Sequence, residues 1–480
     1  MQAPKPRTEK PIGFVLLIVV AAVWVASCGR ATPTPTPTTV STEPATPAPL
    51  QAIEVTRVVE RVVTATPAPA PPACVRGNLA DAREVVIGAL VPLSRPGAIL
   101  TGFAMQAALS IAVDDLNMAG GIAGKPVRLV TYDTANSPEL GALYAERLIT
   151  LDCAAVLVGV HHLQVGMAVK EVAHRLQTPL IISAVMADEL TADRYPEVFR
   201  ISPTWTMLAQ APAQWLAEVG DYNGDDDRFV VMVTDNASDS LTHAERVSGW
   251  LGAAGFVVES LTVDLPANDF SPVIARIVAM EHVPDAIFLG IPGDTVFRLQ
   301  QQMLAAGVGP QQRTLLITNS SALHDAAFWA QAPDGVFTVM SRIGPWPSTT
   351  SALGLQFAEK YRGYFDRWPD MHSFAAYDAV RLAADSIERA GSLAPDAIIA
   401  ALEESDVVLA AGRYRFPYGS TNPPDDPALP AHVWHQWLDA PMLYLQYTEP
   451  GQSAMAAPVI WPPSLRTVDA PVLSRPAERR

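Results

Sequence analysis

The chain has 480 residues, 49% hydrophobic and 17% charged, enough for two ordinary domains. Its formal net charge of −16 leaves no cationic surplus to neutralise phosphates, which argues against a nucleic-acid partner. Beyond the N-terminal leader, no apolar stretch reads as the ~18–20 residues a membrane span needs.

The chain opens with Lys5, Arg7 and Lys10 against one acid, Glu9, then an apolar run from Ile12 to Val25 that ends in Val25-Ala26-Ser27-Cys28. A basic segment, a short apolar segment and small residues form an export signal. The run is shorter than the ~20 residues of a comfortable span. Val-Ala-Ser-Cys resembles a bacterial lipobox, which is cut before the cysteine so that its thiol carries a diacylglyceryl group. The resemblance makes 1–27 a lipoprotein signal peptide, Cys28 the lipidated first residue, and the mature protein an extracytoplasmic one, anchored to the outer, periplasmic-side face of the cell membrane. The alternatives are an ordinary cleaved signal peptide and an uncleaved anchor helix. Residues 28–73 follow as a tether, because 31–49 is almost only Thr, Pro, Ala and Ser and cannot bury a core. Within it, 51–66 is rich in β-branched residues and has no assigned role.

From residue 84 strand and helix alternate. Val/Ile-rich runs at 84–91, 127–133, 154–160 and 179–183 read as strands, with helices at 102–117 and 138–149 and another ending near 176. The pattern restarts with strands at 229–234, 256–263, 285–291 and 314–318 and helices near 240–253, 270–281 and 294–306. Helices are expected at 351–366, 373–390 and 395–404. The strand runs are apolar on both faces, as in parallel sheets covered by helices. The fold class is therefore α/β, with two Rossmann-like lobes. Neither a phosphate-binding Walker loop nor G-x-G-x-x-G follows a strand, and no cofactor is expected.

Within 84–150 the carrying residues are Gly88, Pro92 and Leu93 at a strand exit, Gly102 opening a helix, Asn117 before Ala119-Gly120-Gly121-Ile122, and Gly124. Leu157-Val158-Gly159, Pro179 to Ser183, Phe199-Arg200 and Tyr377-Asp378-Ala379-Val380-Arg381 follow in order. Over about 84–450 this set resembles the type I periplasmic binding proteins, in particular the leucine/isoleucine/valine-binding solute receptors of ABC transporters. Residues 451–480 are rich in Pro and Ala and read as a loose tail. The resemblance implies two lobes joined by a hinge: lobe I from 84–204 and 321–412, and lobe II from 205–320 and 413–450. It implies a monomer that captures a small polar ligand, an amino acid or a related amide metabolite, and delivers it to an ABC permease. A ligand-sensing receptor on the same lobes and a lobed-scaffold enzyme are the alternatives. No G-x-S-x-G or H-E-x-x-H motif supports the enzyme.

Ligands of doubly wound sheets lie beyond the carboxyl ends of strands, where helix starts offer free N–H groups. The expected ligand-binding residues are His161, His162, Ser183, Ala184, Trp205, Asp239 and Asp294. The family's serines after strand three are replaced by His161-His162, and its lobe II tyrosine by Asp239, while its acid aligns with Asp294. Imidazoles could take over from serine donors near a carboxylate, and two acids could share a cationic group. Asp239 and Asp294 read equally as helix caps, the histidines as solvated loop residues, and Trp205 as hinge packing or a cleft wall.

Cys74 and Cys153 are an even pair in an oxidising compartment. In a doubly wound order strands one and three are neighbours, which brings both cysteines to one sheet edge as a disulfide; two buried free thiols are the alternative. No metal site is expected. Asp221-x-Asn223-x-Asp225-x-Asp227 lacks the turn glycine and distal carboxylate of a calcium loop and reads as an exposed acidic turn. His432 and His435 lie in a strand-like segment, where i and i+3 point apart.

Overall fold

Strand runs apolar on both faces can satisfy their backbone and their side chains together only inside a helix-covered parallel sheet. The chain builds two sheets with such parallel cores, the second carrying β13 antiparallel to its neighbours. The structure, a computed structural model, describes residues 74, 76–318, 325–426 and 428–473, all within one unit, Pro69–Arg480. Cys28, the signal peptide and the tether up to residue 73 lie outside the described residues.

Lobe I begins with β1 (Val85–Val91), α1 (Ile99–Met118), β2 (Val127–Asp133), α2 (Pro138–Thr150), β3 (Val156–Gly159), α3 (Leu163–Arg175), β4 (Leu180–Ile182) and β5 (Val198–Arg200). The sheet order is β2-β1-β3-β4-β5, parallel throughout. The chain then crosses to lobe II: α4 (Trp205–Val219), β6 (Phe229–Asp235), α5 (Ser238–Ala253), β7 (Val257–Val263), α6 (Ser271–Val278), β8 (Ala286–Gly290), α7 (Thr295–Ala305), β9 (Leu315–Thr318), α8 (Asp325–Gln331) and β10 (Val339–Ile343). It returns to lobe I as α9 (Ala352–Phe365), α10 (Met371–Ala390), α11 (Pro395–Glu403) and the hairpin β11 (Asp406–Val408) and β12 (Arg413–Arg415). It ends in lobe II as β13 (Met442–Gln446) and β14 (Val459–Trp461), so the second sheet runs β14-β13-β10-β9-β8-β6-β7.

The return crossings differ from the expected 320/321 and 412/413. β10 pairs parallel with β9 and antiparallel with β13, which keeps the chain in lobe II to Ile343. Lobe I in turn keeps Trp437 and Ala440 in its core. Ser341 and Arg342 interrupt the apolar run of β10, so the strand carries no continuous apolar signal. The tail is not loose as far as Leu473. β14 pairs with β13, Trp215 Nε1 donates to the Pro471 carbonyl at 2.7 Å, and Gln446 exchanges two bonds with Leu473.

α1 is long and apolar enough for a membrane span by composition, but half of it is buried, the place of a core helix. It packs on α10 in the lobe I core. Gly102 in its first turn is required by close approach, since a Cβ there would sit 1.8 Å from the Pro92 carbonyl oxygen. Asp378 of the Tyr-Asp-Ala-Val-Arg stretch is fully buried and accepts from Ala410 N, Ala411 N and Tyr414 Oη, tying the turn of the β11–β12 hairpin to α10. Burial pushes its carboxyl up to about 7 against the pull of those donors. Cys74 and Cys153 form a disulfide with Cα atoms 5.1 Å apart, joining the entry segment to the start of β3.

Segment 432–437 is not a strand. A 3-10 turn at Ala431–Val433 leads to His435, which is buried between Val198 O at 3.2 Å and Glu403 Oε1 at 2.7 Å. His432 and His435 thus share no ligand, and the described residues contain no group of three or more His, Cys, Asp or Glu placed for a metal. In the acidic turn Asp221 accepts backbone N–H groups of Gly224, Asp225 and Asp226.

Candidate functional site

Ligands of doubly wound sheets bind beyond the carboxyl ends of the strands, so the cleft between the lobes is placed there. On the lobe I side β3 ends at Gly159, where a Cβ would meet the Leu90 carbonyl oxygen at 2.6 Å and φ is +102°. Val160 follows at φ +65°, an uncommon conformation for a β-branched residue that raises the loop energy by roughly 1–3 kcal/mol. This turn delivers His161 and His162. Their rings meet edge to face at 4.6 Å, and His161 meets His372, in the first turn of α10, at 5.1 Å. His162 is the N-cap of α3 but gives no side-chain cap.

The Nδ1 atoms of His161, His162 and His372 are buried without a hydrogen-bond partner. Burial, then repulsion from His372 and His162, lowers the His161 pKa to about 4, with Asp370 opposing. Burial also lowers His162 and His372. The three imidazoles are therefore held neutral.

Lobe II presents an apolar cavity of about 360 Å³ between its sheet and α4 and α5. Buried Met232, Phe288, Ile317 and Tyr444 line its interior, and the exposed residues Trp205, Gly290 and Pro292 line its rim. Its volume lies in the ~300–1,000 Å³ range of small-molecule sites. His243, Thr318 and Arg342 also line it, each with a buried side-chain atom lacking a partner: Nδ1, Oγ1 and Nε. The His243 ring lies 5.9 Å from Trp205.

Arg342 joins the two sides. Its Nη2 donates to the Pro369 carbonyl at 2.6 Å, three residues before His372, and its guanidinium lies 4.9 Å over the Trp346 ring. Burial lowers its pKa to about 10, with Asp370 opposing, so it stays charged at neutral pH. A further link is Asp188 of lobe I, which accepts from Thr206 Oγ1 at 2.7 Å and lies 3.9 Å from Arg246, both in lobe II helices.

The expected residues are only partly brought together. His161 and His162 adjoin His372, and Trp205 lines the rim of the lobe II cavity. Ser183 is fully buried with its hydroxyl donated to the Gly159 carbonyl at 3.3 Å, and Ala184 packs in the lobe I core, so both side chains are turned into the fold. Asp239 and Asp294 are exposed at the starts of α5 and α7, outside the cavity lining and without an ion pair to a described residue. Neither gives a side-chain cap either, because no bond joins it to its helix's first N–H groups. Sequence reasoning missed His243, Thr318, Arg342 and His372. The one available signal was a lone arginine inside the apolar run of β10.

Two α/β lobes with parallel-sheet cores, joined by three crossings, define a two-lobed binding-protein architecture. The periplasmic binding protein family model matches residues 84–428, and the chain belongs to that family. It is 25% identical over 376 residues to Leu/Ile/Val-binding protein homolog 8 of Brucella melitensis, covering 75% of this chain and 90% of the relative. It is 24% identical to Leu/Ile/Val-binding protein BraC3 of Rhizobium johnstonii, covering 73% and 92%. Among solved structures it shares the fold of the branched-chain amino acid transporter substrate-binding protein LivJ from Streptococcus pneumoniae, solved with isoleucine (TM-score 0.56, 21% identity, 79% and 100% coverage). It shares it also with the leucine-binding protein LivK from Thermotoga maritima (TM-score 0.54, 18% identity, 78% and 97% coverage).

Proposed function

We infer that this protein is an extracytoplasmic solute receptor of an ABC importer, held at the membrane by lipidated Cys28. It captures one small molecule in the cleft and presents the closed form to a permease. The observation that carries the reading is the lobe II cavity at the carboxyl ends of the strands, with polar groups at its edge and Arg342 and Trp205 beside the crossings. A solute touching both lobes stabilises the closed form, since only differential affinity for that form drives closure. The importer context rests on family kinship, and the anchor on the order of basic, apolar and Val-Ala-Ser-Cys segments.

A thermal-shift screen over amino acids, carboxylates, amides and other small metabolites tests the receptor role. Binding to the native state raises apparent stability by about 2.7 kcal/mol at a hundredfold excess over Kd. A solute that raises the midpoint and also contracts the particle in solution scattering is the expected outcome. A full screen without such a solute rejects the role. For the anchor, Cys28→Ala releases the protein from membranes or leaves the precursor uncut; mature protein that stays membrane-bound without Cys28 rejects lipidation.

A further inference from the structure

Eight buried side-chain polar atoms among the described residues have no hydrogen-bond partner, and six of them fall in two groups: on His161, His162 and His372, whose rings adjoin, and on His243, Thr318 and Arg342, which line the lobe II cavity. Buried polar groups are almost always paired, so this concentration marks a surface built to meet something else. Its chemistry is one-sided. Four are imidazole nitrogens, one is a guanidinium N–H and one a hydroxyl, and none is a carboxylate oxygen.

The only strong charge in the set is Arg342, which is buried and forms no ion pair with a described residue. Its bonds go to the carbonyls of Pro345 and Pro369. Asp370, whose field reaches it, is engaged elsewhere: its Oδ1 accepts from Ser373 N at 2.8 Å and Oγ at 2.9 Å, and Arg367 lies 3.6 Å from its Oδ2. A buried cation with an unpaired N–H and no carboxylate is completed by an anion, and guanidinium geometry suits a carboxylate. Neutral imidazoles beside it add donors through their N–H tautomers or by taking up a proton.

The other end of the site is hydrocarbon. Leu208, Met232, Val247, Phe288 and Ile317 line the cavity, and no aspartate or glutamate does. The ammonium of a bound amino acid would find no counter-charge there, and the exposed acids at 239 and 294 stand outside the lining. Desolvating a cation without a partner is strongly unfavourable.

Resting on the solute-receptor reading, we propose that the ligand is an apolar monocarboxylate without an α-ammonium group. Its hydrocarbon body fills the lobe II cavity, and its carboxylate lies at Arg342 toward His372, His161 and His162.

Calorimetry on the detergent-solubilised full chain with three probes of one carbon skeleton tests this: 4-methylpentanoate, leucine and 3-methylbutylamine. A second series uses 3-phenylpropanoate, phenylalanine and phenethylamine. The expected result is at least tenfold tighter binding of one carboxylate than of its amino acid, and no detectable binding of the amine. Equal or tighter binding of the amino acid overturns the proposal while leaving the receptor role intact. Binding of neither carboxylate, with another solute emerging from the wider screen, also overturns it. Arg342→Gln is expected to weaken the carboxylate at least tenfold. Because Arg342 is buried near a crossing, Ala211→Leu, which narrows the cavity from α4, provides a second variant with the same expected loss. Unchanged affinity in both variants, with far-ultraviolet dichroism intact, overturns the placement.

Discussion

Lobe I meets the cleft with three imidazoles on a βα turn and a helix start, whereas lobe II meets it with an apolar cavity beneath α4 and α5. On the lobe I side the polar groups sit on short connections whose place is fixed by strand order, and a strained residue, Val160, holds them there. On the lobe II side the feature is a shortfall of side-chain volume between two helices and a sheet, framed by residues that otherwise read as core. In the proposed binding mode, one face supplies direction through hydrogen bonding and the other supplies area removed from water at roughly 25 cal/mol per Å². The two are physically different problems and respond to different perturbations.

The largest expected effect separates the lobes by stability. The Cys74–Cys153 bond closes a loop of sequence separation 79 and lies wholly in lobe I. Cys74→Ser with Cys153→Ser is expected to lower the stability of lobe I by about 2–4 kcal/mol. Lobe II contains no disulfide among its described residues, so hydrogen exchange should speed up in β1 and β3 and stay unchanged in β6 and β8. Equal acceleration in both sheets would show that the lobes unfold as one unit and that the contrast is not energetic.

The next effect is electrostatic and belongs to the lobe I face. The folded pKa of His161, about 4, lies below its unfolded value near 6.5. Between these values the unfolded chain binds a proton that the folded chain does not, so stability rises with pH across that window. The contribution is fully present above pH 6.5 and is lost as pH falls toward 4, by at most about 3 kcal/mol. Burial lowers His162 and His372 in the same direction. Subtracting the urea-denaturation profile of His161→Phe from that of the parent isolates the term from titrating carboxylates. A flat difference between pH 4 and 6.5 would mean that the ring is solvated.

The same contrast explains what was legible in the sequence. Both parallel sheets could be read because runs such as Val85–Val91 and Phe229–Asp235 are apolar on both faces and are wholly buried. His161, His162 and Trp205 could be placed because each follows a strand whose position is set by order in the chain. Asp239 and Asp294 stand at helix starts, exposed and outside the lining of the lobe II cavity. A first-turn residue faces the cleft or the solvent according to helix phase, which spacing alone does not give. Ser183 and Ala184 follow a strand too, yet local packing turns them inward. Arg342 and His372 were invisible because they reach the cleft from strands and helices more than 150 residues downstream of the β3 loop. The crossings and the paired part of the tail are hard to read in the sequence for a related reason: polar residues in β10 and prolines around β14 mask strands that pairing partners stabilise.

The smallest expected effect tests whether the two faces are coupled. Asp188 lies in lobe I between β4 and β5 and accepts from Thr206 N at 3.3 Å and Thr206 Oγ1 at 2.7 Å in the first turn of α4, with Arg246 of α5 at 3.9 Å. Its side chain is 23% exposed, so water competes for these bonds and the Arg246 contact adds little. Asp188→Ala should therefore cost only about 1 kcal/mol of global stability. Its local effect is sharper, because α4 forms one wall of the cavity and Trp205 is its first residue. Amide exchange in the first turn of α4 should accelerate, and Trp205 fluorescence should become more accessible to a neutral quencher, with β6 and β8 unchanged. If exchange also rises in α3 and at His372, the carboxylate-binding face and the cavity share one local opening. If α4 alone responds, the faces are independent until a ligand bridges them.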